Sequence, residues 1–188
     1  LPPDTFRTQS RGGKGVIGLA TKEEDVVDMI ISTNTHDNIL FFTSRGRVFL
    51  LRAYDIPQTS RTAKGQALVN FLQLAPNEKV SAILSMADMS KYEFLVMVTN
   101  KGTIKKTKLE DFQNVRKSGL IALKLKEDDM LEWVRPSSGK NDIMIVTTQG
   151  QAIRFQEKNI RAMGRTASGV RAIRLKSTDE VVGMNVLD

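Results

Sequence analysis

Apolar residues along this chain fall in short runs, not in long helical stripes. Four such runs follow a glycine in one register: Gly15, Gly65, Gly119 and Gly169 stand 50, 54 and 50 residues apart. The fourth residue after each is Leu19, Val69, Leu123 or Ile173, and the sixth is Thr21, Phe71, Leu125 or Leu175. Apolar side chains two apart on one face predict a half-buried strand. The third residue is Gly18, Leu68, Ala122 or Ala172. Mostly small residues there predict the close approach of a neighbouring layer.

Two further elements recur. Before each of the last three glycines, an apolar run, a turn with glycine and a second run predict a β-hairpin. The copies are 39–43, Ser44-Arg45-Gly46 and 47–51; then 94–99, Asn100-Lys101-Gly102 and 103–107; then 143–147, Thr148-Gln149-Gly150 and 151–155. An acidic turn then leads into one more strand. Glu23-Glu24-Asp25 precedes 26–31, Glu78 precedes 80–86, Glu127-Asp128-Asp129 precedes 130–134, and Asp179-Glu180 precedes 181–186.

Each repeat thus supplies about four short strands over about 50 residues, the unit of a propeller-like blade. A single β-sandwich also has many short strands, but it does not require one register repeated along the chain. The predicted fold is all-β: a partial propeller-like ring of four-stranded blades in one domain, 1–188. Its layout is a partial repeat 1–36 followed by repeats 37–90, 91–139 and 140–188. The first repeat lacks its hairpin. A ring of blades needs closure or capped ends, so the expectation is a fragment, with a hairpin upstream and further repeats beyond Asp188.

Charge narrows the function. The 188 residues hold 28 Lys plus Arg against 21 Asp plus Glu, a net charge of +7, and the pI is about 9.7. A domain pI above about 9 is the footprint expected of a nucleic-acid binder, although basic proteins also meet acidic proteins and anionic membranes. The absence of cysteine excludes disulfides and thiolate metal sites. No apolar run approaches the roughly 18 residues of a membrane span. The start, Leu1-Pro2-Pro3-Asp4, lacks a signal-peptide pattern. The expectation is a soluble intracellular protein without membrane partners.

The cations recur with the repeat. Arg11 and Lys14, Arg61 and Lys64, Arg116 and Lys117, and Arg161 and Arg165 lie in the connection that ends at each glycine. The hairpins add Arg45, Arg47, Lys101, Lys105, Lys106, Lys108 and Arg154. In a simple meander the basic connection and the acidic turn fall at opposite ends of a blade. That arrangement predicts a positive belt at regular spacing, suited to a polyanion that follows a curve.

The sharpest motif is Gln9-Ser10-Arg11-Gly12-Gly13-Lys14-Gly15. Three glycines in four positions keep the loop free of β-carbons and open to positive φ. Its amides can approach a phosphate and form an anion nest, with Arg11 and Lys14 flanking and Gln9 able to donate. Such contacts give affinity and position, not base specificity. The heptad resembles the signature box of the DNA gyrase A family: Gln, basic, Arg, Gly, Gly, basic, Gly. Ser10 departs from it, standing where that pattern has a basic residue. The weaker box-like segments 61–65, 116–119 and 165–169 resemble later blades of that family, as do Thr35-His36-Asp37 and Met163-Gly164-Arg165.

The resemblance covers essentially the whole chain. It implies the C-terminal DNA-wrapping domain of a type IIA topoisomerase, a β-pinwheel whose blades exchange strands. It implies duplex DNA as partner, bound through Gln9 to Gly15, Arg45, Arg47, Arg61, Lys64, Lys101, Lys105, Arg116, Lys117, Arg154 and Arg165. It further implies, as partners, the remainder of the gyrase A polypeptide and the gyrase B polypeptide. These would form an A2B2 holoenzyme in the bacterial cytoplasm with the nucleoid. The chain would carry no catalysis and no cofactor. The active-site tyrosine, ATP and Mg²⁺ would belong elsewhere in that holoenzyme. Two alternatives stay open: the corresponding topoisomerase IV domain, and a propeller that binds a protein.

The remaining chemistry is thin. His36 has no nucleophile beside it and reads as a turn residue. Tyr54 and Tyr92 read as packing or rim residues, and Trp133 as core. The glycine box lacks the Lys-Ser/Thr ending and the helix of a nucleotide P-loop.

Overall fold

The structure, a computed structural model, describes residues 1–19, 26–87 and 89–188. Thr21 and the first acidic turn, Glu23-Glu24-Asp25, lie outside the described residues. Among those described there are eleven strands, short 3-10 turns and no α-helix. The strands are β1 Asn38–Thr43, β2 Arg47–Arg52, β3 Val80–Ser85, β4 Phe94–Thr99, β5 Thr103–Lys108, β6 Leu120–Ile121, β7 Leu131–Ser137, β8 Asp142–Thr147, β9 Ala152–Gln156, β10 Val170–Arg171 and β11 Val181–Leu187.

They form three antiparallel sheets, ordered β3-β1-β2-β6, β10-β5-β4-β7 and β11-β8-β9. Each is built on one hairpin: β1–β2, β4–β5 and β8–β9. The strand after the acidic turn pairs with its own hairpin, as β3 does with β1. The strand after the glycine does not. β6 follows Gly119 in the third repeat yet pairs with β2 of the second. β10 follows Gly169 in the fourth repeat yet pairs with β5 of the third. Each four-stranded blade therefore takes three strands from its own repeat and one from the next.

Alternation along β4 explains why the sheets stack. Leu95 and Met97 point to one face and join Leu40, Phe42, Val48, Leu123 and Val134 in a core between the first two sheets. Val96 and Val98 point to the other and join Ile104, Ile143, Ile145 and Met184 in a core between the second and third. Both faces of the middle sheet are thus buried, and all four residues are fully shielded from water. A third cluster, Ile39, Phe41, Phe49, Leu51 and Leu72, covers the far face of the first sheet. Trp133 is only partly buried, packed against the second core.

The strand expectation fails at three places. Residues 16–19, after Gly15, form no strand, and Ile17 is 81% exposed. Residues 26–31 form no strand, with Val26 and Ile30 each 86% exposed. The segment after Gly65 contains a 3-10 turn at Leu68–Asn70, and Val69 is 64% exposed. The exchange supplies the reason. By the pattern of β3 and β6, each would flank a hairpin that precedes β1, and the described residues hold none.

Candidate nucleic-acid interface

The glycine box lies fully on the surface. It is braced from within: Gln9 Oε1 accepts the Gly15 N–H at 3.1 Å, and the Gly13 N–H donates to Ser10 O at 3.0 Å. Gly12 and Gly15 sit at φ 85° and 72°, where a side chain is strained. A β-carbon on Gly13 would lie 2.6 Å from Gln9 Oε1. Gln9 therefore shapes the loop through its carbonyl oxygen, where the sequence pointed to its donor group. Arg11 and Lys14 stand exposed on either side of Gly12 and Gly13.

The other glycine loops lie along the outer edges of the blades. Residues 162–170 leave β5 beside Lys106 and return beside Ile104. Arg116 and Lys117 lead into β6 at the edge of β2 and are exposed. Successive loops touch. Arg61 Nη1 donates to Ile17 O at 3.1 Å, and the Lys124 amide donates to Ala167 O at 3.2 Å. Lys64 and Arg161 are exposed, while Arg61 and Arg165 are partly so.

Not every expected cation faces solvent. Lys105 is completely buried, and its Nζ donates to Ala122 O at 2.7 Å and to Arg165 O at 2.5 Å. Burial pushes the ammonium down to about 8, with Asp111 opposing the shift and Arg165 adding to it. As a direct phosphate contact Lys105 is corrected: no face of it reaches the surface. Lys106 is also buried, bonded to Glu157 O and set over the Phe94 ring. Arg47 is tied to Glu78 and Gln73 O and stacked over Phe49. Arg154 pairs with Asp142 at 2.7 Å but stays exposed. Arg45 and Lys101 project from the hairpin turns, Arg45 bonded to Pro76 O.

The acidic turns also depart from expectation. They fold onto the hairpin turns. Glu78 accepts from Thr43 Oγ1, Asp129 from Thr99 Oγ1 and Asp179 from Thr148 Oγ1. All three carboxylates belong to buried residues. The acids thus sit at the same end of the blade as Arg45 and Lys101. A buried carboxylate must find donors, and the hairpin turn offers unpaired hydroxyl and amide groups.

Sequence reasoning overlooked a second set of cations. Lys124 and Lys126 after Gly119, and Arg174 and Lys176 after Gly169, are exposed at matching positions. They alternate with the inward Leu123 and Leu125, or Ile173 and Leu175. That alternation was available as a signal. Elsewhere, the His36 ring meets Tyr54 edge-on at 6.0 Å, and Asp37 closes the turn by accepting the Asn34 amide. Among the described residues no group of His, Cys, Asp and Glu could hold a metal ion. Nor is any helix there long and apolar enough to cross a membrane.

Known proteins match this arrangement. Residues 1–33, 37–85, 93–138 and 141–188 match the family described as DNA gyrase C-terminal domain, beta-propeller. The DNA gyrase A protein of Clostridium acetobutylicum is 52% identical over 168 residues, 89% of this chain and 20% of the relative. That of Staphylococcus aureus is 44% identical over 187 residues, 99% of this chain and 21% of the relative. The chain thus spans about a fifth of the length of these relatives. A crystal structure of the C-terminal domain of DNA topoisomerase IV superposes with a TM-score of 0.81 at 27% identity, over 91% of this chain and 53% of that one. With the family matched in four segments and the same stacked blades in the structure, the chain belongs to the DNA gyrase A C-terminal domain family.

Proposed function

We propose that the chain binds, bends and wraps duplex DNA around its blade rim without reading sequence. In this reading it serves a gyrase A2B2 holoenzyme in the bacterial cytoplasm, beside the nucleoid, and supports ATP-dependent negative supercoiling. It supplies no catalytic group; ATP and Mg²⁺ act elsewhere in that assembly. The observation that carries the reading is the surface box, with Arg11 and Lys14 around two side-chain-free residues. Backbone amides there can meet a phosphate, and Gln9 keeps the loop in shape. Arg45, Arg61, Lys64, Lys101, Arg116, Lys117, Arg154 and Arg165 extend the contacts along the blades. Arg47 contributes through the part of its side chain left open, 29%.

Bending 20–30 base pairs by 40–90° costs on the order of 1–6 kcal/mol. Many phosphate contacts along a rim offset that, as in the histone octamer, where base contacts are absent. Replacing Arg11 and Lys14 together with Ala should abolish bending in a fluorescence-transfer assay with end-labelled duplex. Bending equal to wild type would overturn the reading.

A second reading rests on the likeness to the topoisomerase IV domain and on Ser10 in the box. There the domain would guide the choice of DNA substrate without strong wrapping. Joining the chain to its catalytic partners and scoring supercoiling against decatenation separates the two.

A further inference from the structure

We propose that Lys105 is a positioning residue that holds the rim loop around Arg165 in its DNA-contacting place. The inference rests on the wrapping reading above. Lys105 lies on β5, fully buried, and its ammonium joins two layers. One acceptor, Ala122 O, belongs to the segment that follows β6 on the first sheet. The other, Arg165 O, belongs to the loop that leaves and rejoins the edge of β5. The Lys124 amide ties the same two segments through Ala167 O.

The preceding blade makes the comparison. Lys105 is the third residue after the turn glycine Gly102, and Phe49 is the third after Gly46. The Phe49 ring fills the space under Gly119; a β-carbon there would meet it at 2.7 Å. An apolar side chain is therefore enough to pack beneath a glycine loop. A buried lysine is the costlier choice, because its charge leaves water. What it adds over Phe49 is direction: two bonds to main-chain carbonyls, one of them on Arg165 itself. Arg165 is the partly exposed cation of that loop, so fixing its carbonyl limits where its side chain can meet a phosphate.

The test is a double-mutant cycle on duplex affinity, using the full chain at several salt concentrations. Arg165→Ala should weaken binding and lower the salt slope by about 0.9, the share of one phosphate. Lys105→Met should do the same although it never touches DNA. The double variant should bind no worse than either single one. If Lys105→Met keeps wild-type affinity and slope while Arg165→Ala loses both, or if the two losses add, the inference fails and the wrapping reading stands. If the wild-type chain does not bind duplex, that reading falls and takes this one with it.

Lys105→Gln keeps an N–H donor group that is uncharged and shorter in reach, and it serves where the methionine variant does not fold. The backbone amides across 164–169 of this variant should exchange hydrogen faster than in wild type, with β4 and β8 unchanged, and its affinity should fall below that of wild type. Wild-type exchange in that loop together with wild-type affinity would overturn the proposal.

Discussion

Each of the three described acidic turns commits one carboxylate to the hairpin of its own blade. At Glu78 burial pushes the pKa up, but bonds from Arg47, Thr43 and the Ala75 amide outweigh it and hold the carboxyl at about 2. Its ordinary value is 4.5. A folded value below the unfolded one gives stability that is present above 4.5 and lost as pH falls toward 2. The stability gap between wild type and Glu78→Gln, read from urea unfolding, should therefore narrow as pH drops from about 5 to about 2. A gap constant over that range would contradict the assignment. Residue type alone placed these acids in a turn. It did not reveal that they point inward, because the hydroxyl partners lie 30–35 positions away in sequence.

The hairpins were the most legible elements, and their strands appear within a residue or so of expectation. Their signal is local: an apolar run, a turn glycine at positive φ and a second run. The strands after Gly119 and Gly169 were readable in register but not in length or partner. Pairing leaves only two residues in β6 and two in β10, because each borrows the edge of a preceding hairpin. The exchange can be tested at the turn glycines. Gly46 has φ 70° and a β-carbon would lie 2.3 Å from Leu123 O; Gly150 has φ 78° with nothing within 4 Å. Gly150→Ala should cost about 1–2 kcal/mol from left-handed strain. Gly46→Ala should cost clearly more in the same denaturant series, because the borrowed strand must move. Equal losses at the two sites would deny that close approach.

Across the whole molecule, hydrogen bonds join the loops of the first and second repeats and those of the third and fourth, and these loops carry exposed cations at recurring places. If this rim wraps DNA as proposed, affinity should fall steeply with salt, at a slope of about −0.9 per phosphate neutralised. Replacing Arg116 and Lys117 with Ala should reduce the magnitude of the measured slope by about 1.8, with little dependence on DNA sequence. A slope unchanged from wild type would remove both residues from the path. Arg154→Ala should change it less, since that guanidinium is held by Asp142.

The amino-acid sequence by itself determined the repeat, its β-rich elements, the excess of positive charge and the glycine box. All of these depend on spacing and residue type over a few neighbours. Only the tertiary structure decided which repeat lends a strand to which blade, and which cations remain at the surface. Lys105 and Lys124 look alike in the chain; one is enclosed between two layers and the other faces water. The difference arises from side-chain direction on a paired strand. That direction is set once β5 has β4 on one side and β10 on the other, a contact made over a sequence distance no local pattern spans.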